Sequence, residues 1–124
     1  MNIIEQDYVY TDRRVGAAGA GLNWNSGSVA PVNLNRGIAI LQWVAVSLSA
    51  SGGAAGPGAL IISANSGLSR FIYQGLFSAA AGAVDRFSLS QLWAPSDPGS
   101  DIYFQTDAVP NGIWTVSYGF LLRN

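Results

Sequence analysis

The sequence predicts an all-β protein, a single antiparallel β-sandwich of the jelly-roll type with about eight strands. Short runs in which apolar and polar residues alternate recur along the chain, and this period of two is typical of half-buried strands. Clusters of Gly, Pro, Asn and Ser separate the runs, as expected for turns between strands. The 124 residues suit one domain, so residues 1–124 are expected to fold as one unit.

The first six strands are predicted from the runs between these clusters. The longest run, residues 38–50, is rich in Val, Ile and Trp, which suit a pleated surface. The Gly-rich residues 51–58 that follow it are predicted to form a flexible loop. The six predicted strands are residues 8–15, 29–34, 38–50, 59–64, 70–77 and 84–92.

The clearest alternation lies in residues 113–122, the last predicted strand. Residues 101–106 are predicted to be its hairpin partner, joined through a turn at residues 110–112 whose Asn and Gly tolerate positive φ. The side chains of one face are expected to line the core, because strand side chains alternate with a period of two. That face carries Trp114, Val116, Tyr118, Phe120 and Leu122.

Charge is scarce, at 10% of residues against about 25% in an ordinary domain, and residues 37–69 contain no charged residue. The strand at 38–50 is apolar on both predicted faces, whereas an antiparallel sheet that faces water is polar on one side. We therefore expect its second face to be covered by a loop or by another subunit. The predicted faces are Ile38, Ile40, Val44, Val46 and Leu48 on one side, and Ala39, Leu41, Trp43 and Ala45 on the other.

The residue types exclude several kinds of chemistry. The chain has no Cys and no His, and its six basic residues are all Arg, so a Ser-His-Asp triad, a thiol nucleophile, an ordinary zinc site and a Schiff-base lysine are excluded. A net charge of −1 does not favour nucleic acid. The longest apolar run, 38–48, falls short of the roughly 20 residues that span a bilayer, and the acidic N-terminus is unlike a secretory signal. We expect no enzyme activity, cofactor, metal, nucleic-acid partner or membrane partner.

Two weaker patterns also have plainer interpretations. Residues 16–21 and 53–58 have the spacing G-x-x-G-x-G, the reverse of the dinucleotide fingerprint, but no helix follows either, so loops are the better interpretation. Asp85, Asp97, Asp101 and Asp107 could supply an acid/base pair, or calcium ligands at residues 97–101. The favoured interpretation is a surface ion pair between Asp85 and its neighbour Arg86, with turn-forming Asp elsewhere.

Aromatic residues and arginines mark the candidate interface. Trp43 and Trp114 lie in strong strand patterns and are expected in the core, whereas Trp24 and Trp93 lie in turn-like contexts and are expected to be exposed, to anchor a protein or stack on a sugar. Residues 1–14 form either a docking arm or an ordinary edge strand. The candidate interface residues are Tyr8, Tyr10, Arg13, Arg14, Trp24, Leu41, Trp43 and Trp93.

The layout resembles the small jelly-roll decoration, or cement, proteins of tailed bacteriophage capsids. The resemblance rests on residues 36–50 leading into a Gly/Ala loop, on the closing hairpin of residues 101–106 and 114–122, and on a nearly neutral chain rich in Ala, Gly and Ser. It implies a non-catalytic homotrimer that binds the major capsid protein at the virion surface after assembly in the host cytoplasm. The alternative is a carbohydrate-binding module, or a head-fibre or tail appendage domain, that uses exposed Trp.

Overall fold

A computed structural model describes residues 8–26 and 38–123, which form two antiparallel sheets. The predicted strand at residues 29–34 lies outside the described residues. Within the described residues the strands are β1 Tyr8–Val15, β2 Asn23–Asn25, β3 Ile38–Ala50, β4 Ala55–Ser63, β5 Phe71–Ala79, β6 Val84–Leu89, β7 Ala94–Pro95, β8 Tyr103–Thr106 and β9 Gly112–Arg123.

The strand order is that of a jelly roll, as predicted. One sheet runs β1-β9-β3-β6, with the two-residue β7 also paired to β3, and the other runs β2-β8-β4-β5. The connections from β1 to β2, β3 to β4, β5 to β6 and β8 to β9 each cross from one sheet to the other. This pattern forms two Greek keys, in which strands distant in the sequence become neighbours.

The core lies between the sheets and is dominated by the predicted face of β9. Trp114, Val116, Tyr118, Phe120 and Leu122 are all buried there, which confirms the alternation predicted for this strand. Their rings contact aromatic residues of the four-stranded sheet. Phe77 meets Trp114 edge-on with ring centroids 5.4 Å apart, and Phe104 lies 5.4 Å from Tyr118. These contacts join the two sheets.

A β-bulge in β3 changes which of its side chains lie on the same face, contrary to the prediction. The register of β3 with β9 shifts between Leu41 and Trp43, so Gln42 is the additional residue. Ala39 and Leu41 therefore face the core before the bulge, and Val44, Val46 and Leu48 face it afterwards. The prediction that Leu41 and Trp43 share a face was wrong, because an unbroken period of two cannot represent an extra residue.

The predicted hairpin of the last two strands is also wrong. β8 pairs with β2 and β4, while β9 pairs with β1 and β3 in the other sheet. The turn itself was placed correctly: the Gly112 N–H donates to the Val109 carbonyl at 2.9 Å, and Asn111 has φ of 64°. With Pro110 before Asn111, this matches a type II turn that leads across the sandwich.

Several strand ends differ from the predictions. The Gly-rich segment expected to be a loop becomes strand from Ala55 onward, with an irregularity before Gly58. Two very short strands, β2 and β7, were not predicted. Neither is long enough to display a period of two, so only their pairing with β8 and β3 defines them as strands.

Candidate interaction surfaces

The carboxylates at residues 97 and 101 hold loops together. Asp97 pairs with the Arg70 guanidinium at 3.0 Å and accepts a hydrogen bond from the Asn65 amide at 3.1 Å. Asp101 accepts a hydrogen bond from the Ser26 hydroxyl at 3.0 Å. These contacts tie residues distant in the sequence to one end of the sandwich, so both side chains have structural partners.

The other two candidate carboxylates accept backbone hydrogen bonds. Asp107 accepts from the Ala59 N–H at 2.9 Å, and Asp85 accepts from the Ser78 N–H at 3.1 Å. Among the described residues, no group of three His, Cys, Asp or Glu side chains is placed to hold a metal ion. The four aspartates therefore stabilise connections between strands.

Trp24 is buried, and the expectation that it is exposed was wrong. Only 6% of the residue is accessible, and its ring stacks on Phe104 with centroids 4.6 Å apart and planes 3° from parallel. The Arg14 guanidinium carbon lies 6.0 Å from the centre of the same ring. Trp24 thus closes the edge of the sandwich where β1 and β2 lie, and no face of it is free to stack on a sugar.

Residues 8–15 form a complete edge strand. From Tyr8, opposite Leu122, to Val15, opposite Thr115, every residue of β1 has a partner in β9. This pairing agrees with the interpretation of the segment as an edge strand. Residues 1–7 lie outside the described residues, and docking of residues 1–14 on a partner stays a prediction.

The inward side of β1 carries a small polar cluster. The hydroxyls of Tyr10 and Tyr118 both donate to the Asp12 carboxylate at 3.3 Å. Burial raises the pKa of Tyr118 to about 12; the Asp12 charge acts in the same direction, whereas the hydrogen bond with Arg14 opposes it. Within the described chain, the buried Nε of Arg14 and Nε1 of Trp24 have no hydrogen-bond partner. Asp12 is exposed and Tyr118 is buried, so the cluster joins β1 to β9 at the edge of the sandwich.

The outer face of the five-stranded sheet carries arginines and small side chains. Arg13 on β1 and Arg86 on β6 lie near opposite edges of the sheet. Between them is a shallow depression of about 330 Å³. The small residues that line it are Ala45, Ser47, Ser88, Thr115 and Ser117.

Trp43 also lies on this outer face and not in the core, contrary to the prediction. A side chain on Gly119, its partner on β9, would collide with the Trp43 indole, so the ring covers the space that the glycine leaves. Nearer the start of β3, Ile40 and its partner Leu121 point away from the core cluster and are nevertheless buried. The expected cover on the second face of β3 is therefore present within the chain at this one position.

The outer face of the four-stranded sheet is uncharged, and we call the outward side chains of β2, β8, β4 and β5 the neutral face. None of these four strands, all within the described chain, contains an Asp, Glu, Lys or Arg. One row across the sheet reads Asn23, Gln105, Ile61 and Gln74. Leu76 beside this row is 74% exposed, and Phe71 at the start of β5 is 52% exposed.

The residues of the neutral face were not singled out from the sequence. The charge-free stretch 37–69 includes β4 and therefore Ile61, so this signal was present. Nothing in the sequence marked Leu76 or Gln74, because their position beside Ile61 depends on the pairing of β4 with β5. Trp93, which was predicted to be exposed, is 57% exposed just before β7.

Comparisons with known proteins identify no family. No family model matches the chain, and no curated protein matches it. One solved structure, described as "Bacillus endospore appendages form a novel family of disulfide-linked pili", shares 12% identity and a TM-score of 0.34 over 95% of this chain and 92% of that chain. At that identity and TM-score the likeness says nothing further about this chain. Within residues 8–26 and 38–123 no helix is long and apolar enough to cross a membrane.

Proposed function

We propose that this chain is a non-enzymatic structural subunit that works by associating with copies of itself. The observation that carries the proposal is the neutral face, where exposed Leu76 and Phe71 lie on a sheet with no charged residue in its strands. Exposed apolar side chains on a surface without charges are suited to a protein interface, because the centres of interfaces are depleted in charged residues. The four candidate carboxylates, at residues 85, 97, 101 and 107, support the same function, because each accepts a hydrogen bond that stabilises the fold.

We further propose that the assembly belongs to the surface of a particle. The capsid decoration role, in which the subunit binds a major capsid protein at the virion surface, is one setting, and a head-fibre or tail appendage is the other. Burial of apolar area is worth roughly 25 cal/mol per Å², so many weak contacts repeated over a lattice or fibre reinforce one another. A small subunit without disulfides is suited to this kind of stabilisation.

Native mass spectrometry of the purified chain at increasing concentration tests self-association. We expect species at multiples of the 13.0 kDa protomer mass that become more abundant with concentration. A protein that remains monomeric at the highest soluble concentration would contradict the proposed function. Binding to purified capsids, compared with electron microscopy for fibres formed by the chain alone, then separates the two settings.

A second candidate function, carbohydrate binding, is favoured by one observation, the 57% exposure of Trp93. An exposed indole can stack on a sugar ring, although it anchors protein interfaces equally well. A glycan array compares the wild type with Trp93→Ala. Glycan binding that is lost in Trp93→Ala, while the oligomeric mass is unchanged, would support this candidate.

A further inference from the structure

We infer that the neutral face pairs with the same face of a second copy about a two-fold axis. The inference rests on the proposed function and adds to it the surface and the symmetry of the contact. Two β-sheets pack face to face at a separation of about 10 Å when their facing side chains interdigitate. In a two-fold contact the same patch serves both partners, so the patch has to be complementary to itself.

The distribution of charge favours a contact of this kind. On the described part of the five-stranded sheet, Arg13 on β1 and Arg86 on β6 lie on the outer face. The four-stranded sheet contains no charge within its strands. A charged residue near a two-fold axis faces its own copy and repels it, and the neutral face avoids this cost.

Among the described residues, two charged side chains lie at the margins of the neutral face. Asp107 follows the end of β8, where its carboxylate is bonded to the Ala59 N–H. Arg70 precedes β5 and is paired with Asp97. An uncharged centre with a polar margin is the ordinary arrangement of a protein interface.

The central row can satisfy its own polar groups in a two-fold contact. Ile61 on β4 lies between Gln105 on β8 and Gln74 on β5, and Asn23 on β2 ends the row. Each carboxamide carries both donors and an acceptor, so an amide can pair with the same amide of another copy. When the row faces the same row of a second copy, Ile61 can therefore contact an apolar side chain and the amides beside it can hydrogen-bond to amides.

The size of the face determines the conditions under which pairing is expected. From the strand lengths and spacings, the four strands present roughly 400 Å² of flat sheet per copy. This is below the roughly 800 Å² per partner of a standard interface, so the pair is weak in isolation. The exposed side chains of Leu76 and Phe71 add contact area beyond the flat sheet. We expect association at high protein concentration, and reinforcement where copies are held together on a larger assembly.

The test uses opposite charges at one position. Ile61→Lys and Ile61→Glu each place like charges near the axis, so each variant alone is expected to lose more than about tenfold in its association constant. An equimolar mixture of the two is expected to associate again, because each Lys then faces a Glu. Static light scattering of each variant and of the mixture measures this. Ala45→Lys and Ala45→Glu, at the centre of the other sheet, are the matched controls and are expected to associate like the wild type.

The outcomes separate this inference from the proposed function. A wild type that never associates contradicts the proposed function, and the inference with it. If the wild type associates as a trimer, the inference is wrong and self-association is still supported. The same conclusion follows if association is lost in the Ala45 variants and kept in the Ile61 variants. A lowered urea midpoint in an Ile61 variant would show that the variant is destabilised. The Lys and Glu substitutions are then made at Leu76, which is 74% exposed. Failure of the mixed Lys and Glu variants to associate overturns the two-fold axis.

Discussion

Trp24 shows how a single residue can mislead when it is judged from its neighbours. It lies among Asn, Ser and Gly, which indicate a turn, yet it is 6% exposed. Its burial depends on Phe104, 80 positions further along the chain, against which it stacks when β2 pairs with β8. No local pattern contains that information, so the exposure of this tryptophan could not be predicted from the sequence.

The two buried tryptophans differ in one hydrogen bond, and this predicts different costs of substitution. Trp114 donates from Nε1 to the Asp107 carbonyl at 2.9 Å, whereas the buried Nε1 of Trp24 has no partner in the described chain. We expect Trp114→Phe to lower the free energy of unfolding by at least about 1 kcal/mol more than Trp24→Phe. Urea unfolding of both variants measures the difference. Equal losses would mean that the Trp114 hydrogen bond contributes nothing beyond packing.

The raised pKa of Tyr118 predicts that the free energy of unfolding falls at alkaline pH. Burial raises its pKa to about 12 from the ordinary 10.0, so between pH 10 and pH 12 the unfolded chain releases this proton while the folded chain keeps it. The free energy of unfolding is unaffected by this group below pH 10 and falls above it, by at most about 1.4 kcal/mol per pH unit. Urea unfolding from pH 9 to pH 12 should show a shallower decline for Tyr118→Phe than for the wild type. Identical declines would contradict this assignment.

Among the elements, the long strands could be predicted and their partners could not. The bounds of β1 and β3 match the predictions, and β9 extends by one residue at each end, because each is long enough to display its pattern. The bulge at Gln42 and the separation of β8 from β9 were missed. Both depend on which strands pair, and in a jelly roll the neighbours in space are distant in the sequence.

The β1–β2 connection contacts β8 closely at Gly21, so we expect replacement of Gly21 to destabilise the fold. A Cβ at Gly21 would lie 2.5 Å from the Thr106 carbonyl oxygen, where the Thr106 N–H also donates to the Leu22 carbonyl at 2.8 Å. Backbone cannot move aside as a flexible side chain can, so Gly21→Ala is expected to cost about 1–3 kcal/mol.

Gly67→Ala is the matched control for this substitution. The nearest atoms to a Cβ at Gly67 lie 3.8 Å away, so this substitution is expected to change the free energy of unfolding by less than about 0.5 kcal/mol. Thermal or urea unfolding of the two variants provides the comparison. A Gly21→Ala variant as stable as Gly67→Ala would show that the β1–β2 connection does not approach β8 as closely as described.

At the scale of the whole molecule, the strands of the four-stranded sheet together form a surface without charged residues. The charge-free stretch 37–69 was visible in the sequence, and it contains β3 and β4, which lie in different sheets. Only the fold combines β4 with β2, β5 and β8 into one uncharged surface, because these strands come from four separate parts of the chain. The uncharged stretch could therefore be read from the sequence, but the uncharged face to which β4 belongs could not.

Sedimentation equilibrium of the wild type across protein concentration, at low and high sodium chloride, tests self-association through the neutral face most directly. We predict that the weight-average mass rises from 13.0 kDa towards twice that value, and that the association constant changes little with salt, because no ion pair is screened. A mass that stays at 13.0 kDa at every concentration would contradict the account. So would an association that weakens steeply with salt, since the contact would then be made by charged residues outside the neutral face.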